Sequence, residues 1–256
     1  MSSSKDMPVV LVTGGACRIG AAIVRCFAQN NWRAVIHCRH SRAAGESLFA
    51  ELGAAAAGHL LLQQDLLEDG AEQALIASTL SHYGRLDCLV NNASVYRRSS
   101  MAEITPAMFA QAYAINFEVP FQLMQEFYRA CARGSIVNLL DQRVNNIDPS
   151  AGAYALAKKS LRDATEACAL EWAPDIRVNA VAPGIVLPPP ELKPETSMRR
   201  ILQYVPMRAA SSPEEVAKAT LFLAESQSIT GLTLYVDGGM HLHNGNLGEK
   251  NHEKQK

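Results

Sequence analysis

The chain has 256 residues, of which 48% are apolar, and 24 Lys and Arg stand against 25 Asp and Glu for a net charge of −1. That balance supplies one sizeable core, excludes a disordered chain and argues against a polyanion-binding surface, so nucleic acid is not an expected partner. The six cysteines, Cys17, Cys26, Cys38, Cys88, Cys131 and Cys168, form no CxxC pair and no His/Cys cluster at metal-ligand spacing, so they read as small core residues in a reducing compartment, with no metal.

The opening MSSSKDM is followed by an apolar stretch too short for a signal peptide or a membrane span, and a soluble cytoplasmic protein is expected. The expected organisation is a flexible N-terminus over residues 1–7, a single domain over 8–243 and a flexible polar tail over 244–256. Short β-branched runs alternate with longer stretches of helical period, which predicts an α/β fold, a single doubly wound domain around a mainly parallel sheet of seven strands. Several runs are wholly apolar, as strands covered on both faces require.

VVLVT, from Val9, is the first predicted strand, and it runs into TGGACRIG, Thr13 to Gly20, ahead of the helical AAIVRCFAQ. Gly14, Gly15 and Gly20 suit a tight turn that presents backbone N–H groups and a helix N-terminus to a diphosphate. Arg18 stands where such a turn would normally carry glycine. The second strand, AVIHC, ends in HCRHS. An NAD site there would offer a carboxylate to the ribose hydroxyls, whereas Arg39, His40 and Ser41 offer a cation and donors suited to a 2′-phosphate, so NADPH is expected. The third strand, HLLLQQ, leads to Asp65, which could accept from an adenine amino group or cap a helix. LDCLVNN, SIVNLL, RVNAVAP and LTLYVD complete the predicted sheet, and Thr105-Pro106 and Ser212-Pro213-Glu214-Glu215 announce helix starts. LPPPELKPETSMRR, from Leu187, follows the sixth strand at the carboxyl edge of the sheet and reads as a mobile flap over a ligand.

YALAK places Tyr154 and Lys158 on one helical face. A phenol works as acid or base near neutrality when a nearby cation favours its anion, and Lys158 is expected to supply that cation and to hold a ribose. Taken with TGGACRIG, Asp65, NNAS, Asn116 and Pro183-Gly184, in that order, these residues resemble the short-chain dehydrogenase/reductase family along nearly the entire chain. The resemblance implies a single Rossmann domain, a nicotinamide cofactor, Tyr/Lys chemistry at Tyr154 and Lys158, and a homotetramer. It further implies that Asn116 supports a proton-relay water and that Ile19, Leu66, Asn92, Ala93 and Gly184 line the cofactor.

Two departures narrow the resemblance. Asp141 replaces the family's usual serine upstream of Tyr154, and Arg18 replaces a usual glycine; with HCRHS, NNASVY and DGGMHL these changes look like the pteridine reductase branch. That branch implies that Tyr96 stacks on the pterin, that Ser94 bonds it and that Arg18, Asp141 and Tyr154 contact it. The chemistry agrees: an ionised Asp141 would oppose the alkoxide of a ketone reduction but can accept from a pterin's N–H donors and orient Tyr154. The planar fork of Arg18 can bridge a cofactor phosphate and the pterin edge. The resulting expectation is hydride transfer to a 7,8-dihydropterin such as dihydromonapterin, dihydrobiopterin or dihydrofolate. A carbonyl or 3-oxoacyl reductase and a non-catalytic NADPH-binding regulatory protein stay open as alternatives.

Overall fold

The computed structural model describes residues 7–146, 148–187 and 201–242. The flap beyond Leu187 and both termini therefore lie outside the described residues. β1 (Val9–Val12) is buried along its whole length. Alternation along the strand sends Val9 and Leu11 into one core and Val10 and Val12 into another, so the sheet is covered on both faces. On one face lie α1 (Arg18–Gln29), α2 (Arg42–Glu51) and α7 (Pro213–Glu225). On the other lie α3 (Ala71–Tyr83), α5 (Val119–Ala130) and α6 (Gly152–Glu171). Phe127 of α5 and Phe27 of α1 are fully buried, one in each core, and burial of such a side chain contributes roughly 1.5–3 kcal/mol.

The remaining strands are β2 (Arg33–Cys38), β3 (Leu60–Gln63), β4 (Cys88–Asn91), β5 (Gly134–Leu139), β6 (Ile176–Pro183) and β7 (Thr233–Val236). The seven strands run in the order β3-β2-β1-β4-β5-β6-β7, and every neighbouring pair is parallel, not only most of them. Each predicted strand is present, with its ends displaced by at most a residue or two. The chain order reverses between β1 and β4, and in an open α/β sheet that reversal opens a crevice beyond the carboxyl ends of the strands. The turns after β1, β2, β3, β4, β5 and β6 carry most of the expected site residues to that edge, and Asn116, Tyr154 and Lys158 come from helical segments.

Two features set the registers that matter there. Asn91 Nδ2 donates to Asn138 Oδ1 at 2.9 Å, and Asn138 Nδ2 donates to Thr165 Oγ1 at 2.8 Å. This buried chain ties β4 and β5 to α6 and so fixes how far along the strand the start of α6 stands. Between α4 (Pro106–Tyr113) and α5 the helix widens into a π-helical segment, Ala114–Glu118, with Asn116 buried inside it. The Thr105 cap and the Ser212/Glu215 capping box form as the sequence indicates. The cysteines correct the expectation in part: Cys38, Cys88 and Cys168 are buried, but Cys17 is exposed at the N-cap of α1. Among the described residues, no helix is long and apolar enough to cross a membrane and no His/Cys/Asp/Glu cluster could hold a metal ion.

Candidate active site

The turn after β1 is built by backbone crowding. Gly14 has φ +62°, and a Cβ on Gly20 would collide with the Gly14 carbonyl oxygen. The end of β4 braces this turn: Thr13 Oγ1 accepts from the N–H groups of Asn92 at 2.9 Å and Ala93 at 3.0 Å, while Asn92 Nδ2 donates to the carbonyls of Thr13 at 2.8 Å and Gly14 at 3.1 Å. From β2, His37 completes the support. Its Nδ1 accepts from the Gly14 N–H at 3.2 Å and its Nε2 lies 3.0 Å from the Gln64 carbonyl, a pairing that assigns the proton to Nε2. Burial lowers the His37 pKa, which keeps the ring neutral and Nδ1 an acceptor. Sequence reading missed His37 because an inward-facing strand residue carries no motif.

Two helix N-termini open at this edge. Cys17 at α1 and Ser41 at α2 make no side-chain cap bond, and neither helix has an acidic residue in its first turn. N–H groups that no capping side chain covers and a positive dipole end at both places fit anionic groups, and the exposed Arg39, His40 and Ser41 beside the second fit a 2′-phosphate. Arg39 Nη2 lies 2.7 Å from Asp65 Oδ2, and Asp65 Oδ1 accepts from the Leu67 N–H at 3.0 Å. Asp65 thus steadies Arg39 and its own turn. Leu66 is buried and Ile19 packs against the core, so these two shape the backbone of the site. Arg18 is exposed at the head of α1 and has φ +53°, a left-handed conformation that normally belongs to glycine. Gly184 is required by contact: a Cβ there would press on Asp237 at the end of β7.

Beyond β5 and at the start of α6 the reactive groups meet. Tyr154 Oη donates to Asp141 Oδ2 at 3.1 Å, and the Tyr154 ring meets the Tyr96 ring edge to face at 4.9 Å. The fully buried ammonium of Lys158 donates to the Leu139 carbonyl at 2.7 Å and stands 6.0 Å from the Tyr154 ring centroid. Burial lowers the Lys158 pKa to about 8, against a smaller upward pull from Asp141. Burial and the Asp141 charge push the Tyr154 pKa well up, against smaller downward pulls from Arg143 and Ser94. Asn116 stands beside this group. Its amide clamps the loop after β4, with Oδ1 accepting from Ser94 Oγ at 2.7 Å and the Val95 N–H at 3.3 Å, and Nδ2 donating to the carbonyls of Val95 and Ala112. Its side chain therefore positions Ser94, within reach of Tyr154.

The enoyl-(acyl carrier protein) reductase family profile matches residues 14–241, from the glycine turn to the last described turn. The chain belongs to the short-chain dehydrogenase/reductase family. An L-fucose dehydrogenase from Mus musculus is 36% identical over 255 residues, covering 94% of this chain and 91% of that protein. A ketoacyl reductase of a granaticin polyketide synthase from Streptomyces violaceoruber is 32% identical over 250 residues, covering 94% and 99%. Among solved structures, a FolM alternative dihydrofolate reductase 1 from Brucella suis in complex with NADP is similar with a TM-score of 0.88 at 33% identity, over 95% of this chain and 98% of that one. In this short-chain dehydrogenase/reductase, one further residue at the site escaped sequence reading. Arg143, two residues after Asp141, binds that carboxylate, and the only sequence signal for it is an Asp and an Arg flanking a loop position.

Proposed function

We propose that this short-chain dehydrogenase/reductase is an NADPH-dependent pteridine reductase that converts a 7,8-dihydropterin into the tetrahydropterin. The observation that carries the reading is Asp141, a carboxylate whose Oδ2 accepts from the Tyr154 hydroxyl where a ketone-reducing site needs only donors. A developing alkoxide beside that carboxylate would be repelled. A pterin instead offers an amino-pyrimidinone edge of N–H donors to Asp141, and its C=N bond requires a proton at nitrogen.

When bound, NADPH supplies the hydride to the carbon of that C=N bond. The uncapped ends of α1 and α2, with Arg39, His40 and Ser41, hold its phosphates, and the turn braced by Asn92, Ala93 and His37 keeps those N–H groups aimed. Gly184 lets β6 and β7 close up beside it. Tyr154 gives its proton to the substrate nitrogen, and its raised pKa keeps the hydroxyl protonated until then. Lys158, whose ammonium stands 6.0 Å from the Tyr154 ring centroid, and Arg143, whose charge favours the anion, are cations available to the resulting phenolate. The exposed Tyr96 ring offers a stacking face, Ser94 a hydroxyl, and Arg18 a guanidinium at the mouth of the crevice.

Replacing Tyr154 by Phe tests the assignment. NADPH affinity should be unchanged while turnover of a dihydropterin falls by a factor of about 10² to 10⁴, the usual contribution of general acid catalysis. Full residual turnover would remove Tyr154 from the chemistry.

A further inference from the structure

Arg143 binds the Asp141 carboxylate of the proposed reacting pair, yet belongs to no motif. It lies in the short 3₁₀ turn Gln142–Val144 that follows β5. Its Nη1 donates to both Asp141 oxygens, at 3.2 Å and 3.0 Å, and its backbone N–H donates to Asp141 Oδ1 at 2.9 Å. On the far side its Nε donates to Asp148 Oδ2 at 2.8 Å, and Asp148 Oδ1 is itself held by the N–H and hydroxyl of Ser150 at 3.0 Å and 2.7 Å. Above it, the guanidinium carbon stands 5.4 Å from the centre of the Tyr96 ring, which in turn packs edge-on against Tyr154.

The Arg143 side chain is only 25% exposed and that of Asp141 15%, so each needs the other to be tolerated away from water. Burial alone would lower the Arg143 pKa, but Asp141 and Asp148 raise it, and the group is a permanent cation. A planar fork pinned from behind by Asp148 has one way to meet Asp141. That orientation leaves Oδ2 turned toward Tyr154. The same cation attracts the face of Tyr96.

We infer that Arg143 is a positioning residue of the reductase site: it holds the Asp141 carboxylate against the Tyr154 hydroxyl and the Tyr96 ring over the same spot, so that the carboxylate and the aromatic wall form one preset seat for the substrate. It acts through Asp141 and not on the cofactor. The inference rests on the reading of Asp141 and Tyr154 as the reacting pair.

The test is a double-mutant cycle of wild type, R143Q, D141A and R143Q/D141A, reading kcat with NADPH and dihydrobiopterin and, separately, the NADPH Kd from nucleotide fluorescence. In R143Q, kcat should fall by about 10- to 100-fold, the effect of misplacing a reacting group by about 1 Å, while the NADPH Kd is unchanged. In the D141A background the same substitution should cost less than about twofold, because its effect is already lost. R143K, which keeps the charge without the fork, should bind NADPH normally and recover turnover only in part. An equal cost of R143Q with and without Asp141, a loss of NADPH binding in both R143Q and R143K, or full recovery in R143K would each overturn the inference. If wild type reduces a β-keto ester and ignores the pterin, the pterin reading fails, and the cycle is read on the keto ester with the same deciding outcomes.

Discussion

Arg18 offers a prediction that separates backbone from side chain. Its φ of +53° lies in the left-handed region, which costs a residue with a Cβ roughly 1–2 kcal/mol. R18A and R18G both lose the guanidinium, so comparing them isolates the backbone: alanine keeps the strain and glycine relieves it. The greater freedom of glycine in the unfolded chain offsets roughly 0.5–1 kcal/mol of the relief. R18G should therefore be the more stable by up to about 1.5 kcal/mol, which for a chain of this length is a melting temperature up to about 3–6 °C higher. Thermal unfolding without ligand measures it. NADPH oxidation then completes the argument: both variants should reduce a dihydropterin poorly and to the same degree, since both lack the fork proposed to bridge phosphate and pterin. An R18A protein that melts at or above R18G would refute the claim that the arginine is held in strain for its side chain.

The lowered pKa of Lys158, about 8 against an ordinary value of 10.5, gives the free enzyme an alkaline limit. The ammonium is the working form, so kcat/KM should be level below that pKa and fall as pH rises through it; a profile flat to pH 10 would show that the charge is not needed. Tyr154 does not contribute that limb, because its own pKa is pushed up and its proton is retained. R39A should raise the KM for NADPH by about tenfold or more, the loss of one charge-assisted hydrogen bond to a phosphate, and leave the KM for NADH unchanged. Equal effects on the two nucleotides, in steady-state kinetics with each, would contradict the 2′-phosphate role of Arg39.

The fold was legible because its signals are local. Apolar runs such as Val9–Val12 mark strands buried on both faces, glycine marks a turn in which Gly14 takes a left-handed φ and Gly20 has no room for a Cβ, and Ser212 with Glu215 marks a helix start. The site was legible at the level of which residues gather and less so at the level of which touch. Side-chain pairing depends on neighbours brought from elsewhere in the chain. The ion pair of Arg39 with Asp65, the bond of the Lys158 ammonium to the Leu139 carbonyl and the clamp of Asn116 on Ser94 each join elements that no spacing rule relates. The π-helical segment around Asn116 has no sequence signature, and that widening is what accompanies the turn of its amide toward the β4 loop. Arg143 was invisible for a further reason: its partners Asp141 and Asp148 are near in sequence, but the meaning of the pair comes only from Tyr154 and Tyr96 lying against it.

Under the proposed function, a carboxylate at position 141 suits the site to a heterocyclic imine and not to a ketone. Initial rates of NADPH oxidation under anaerobic conditions, with dihydromonapterin, dihydrobiopterin, dihydrofolate and a simple β-keto ester offered separately to the wild-type protein, distinguish the two substrate classes. Turnover confined to the pterins is the predicted result, with the relative rates identifying the preferred tail. Turnover of the keto ester alone would contradict it and make the protein a carbonyl reductase in which Asp141 has another role.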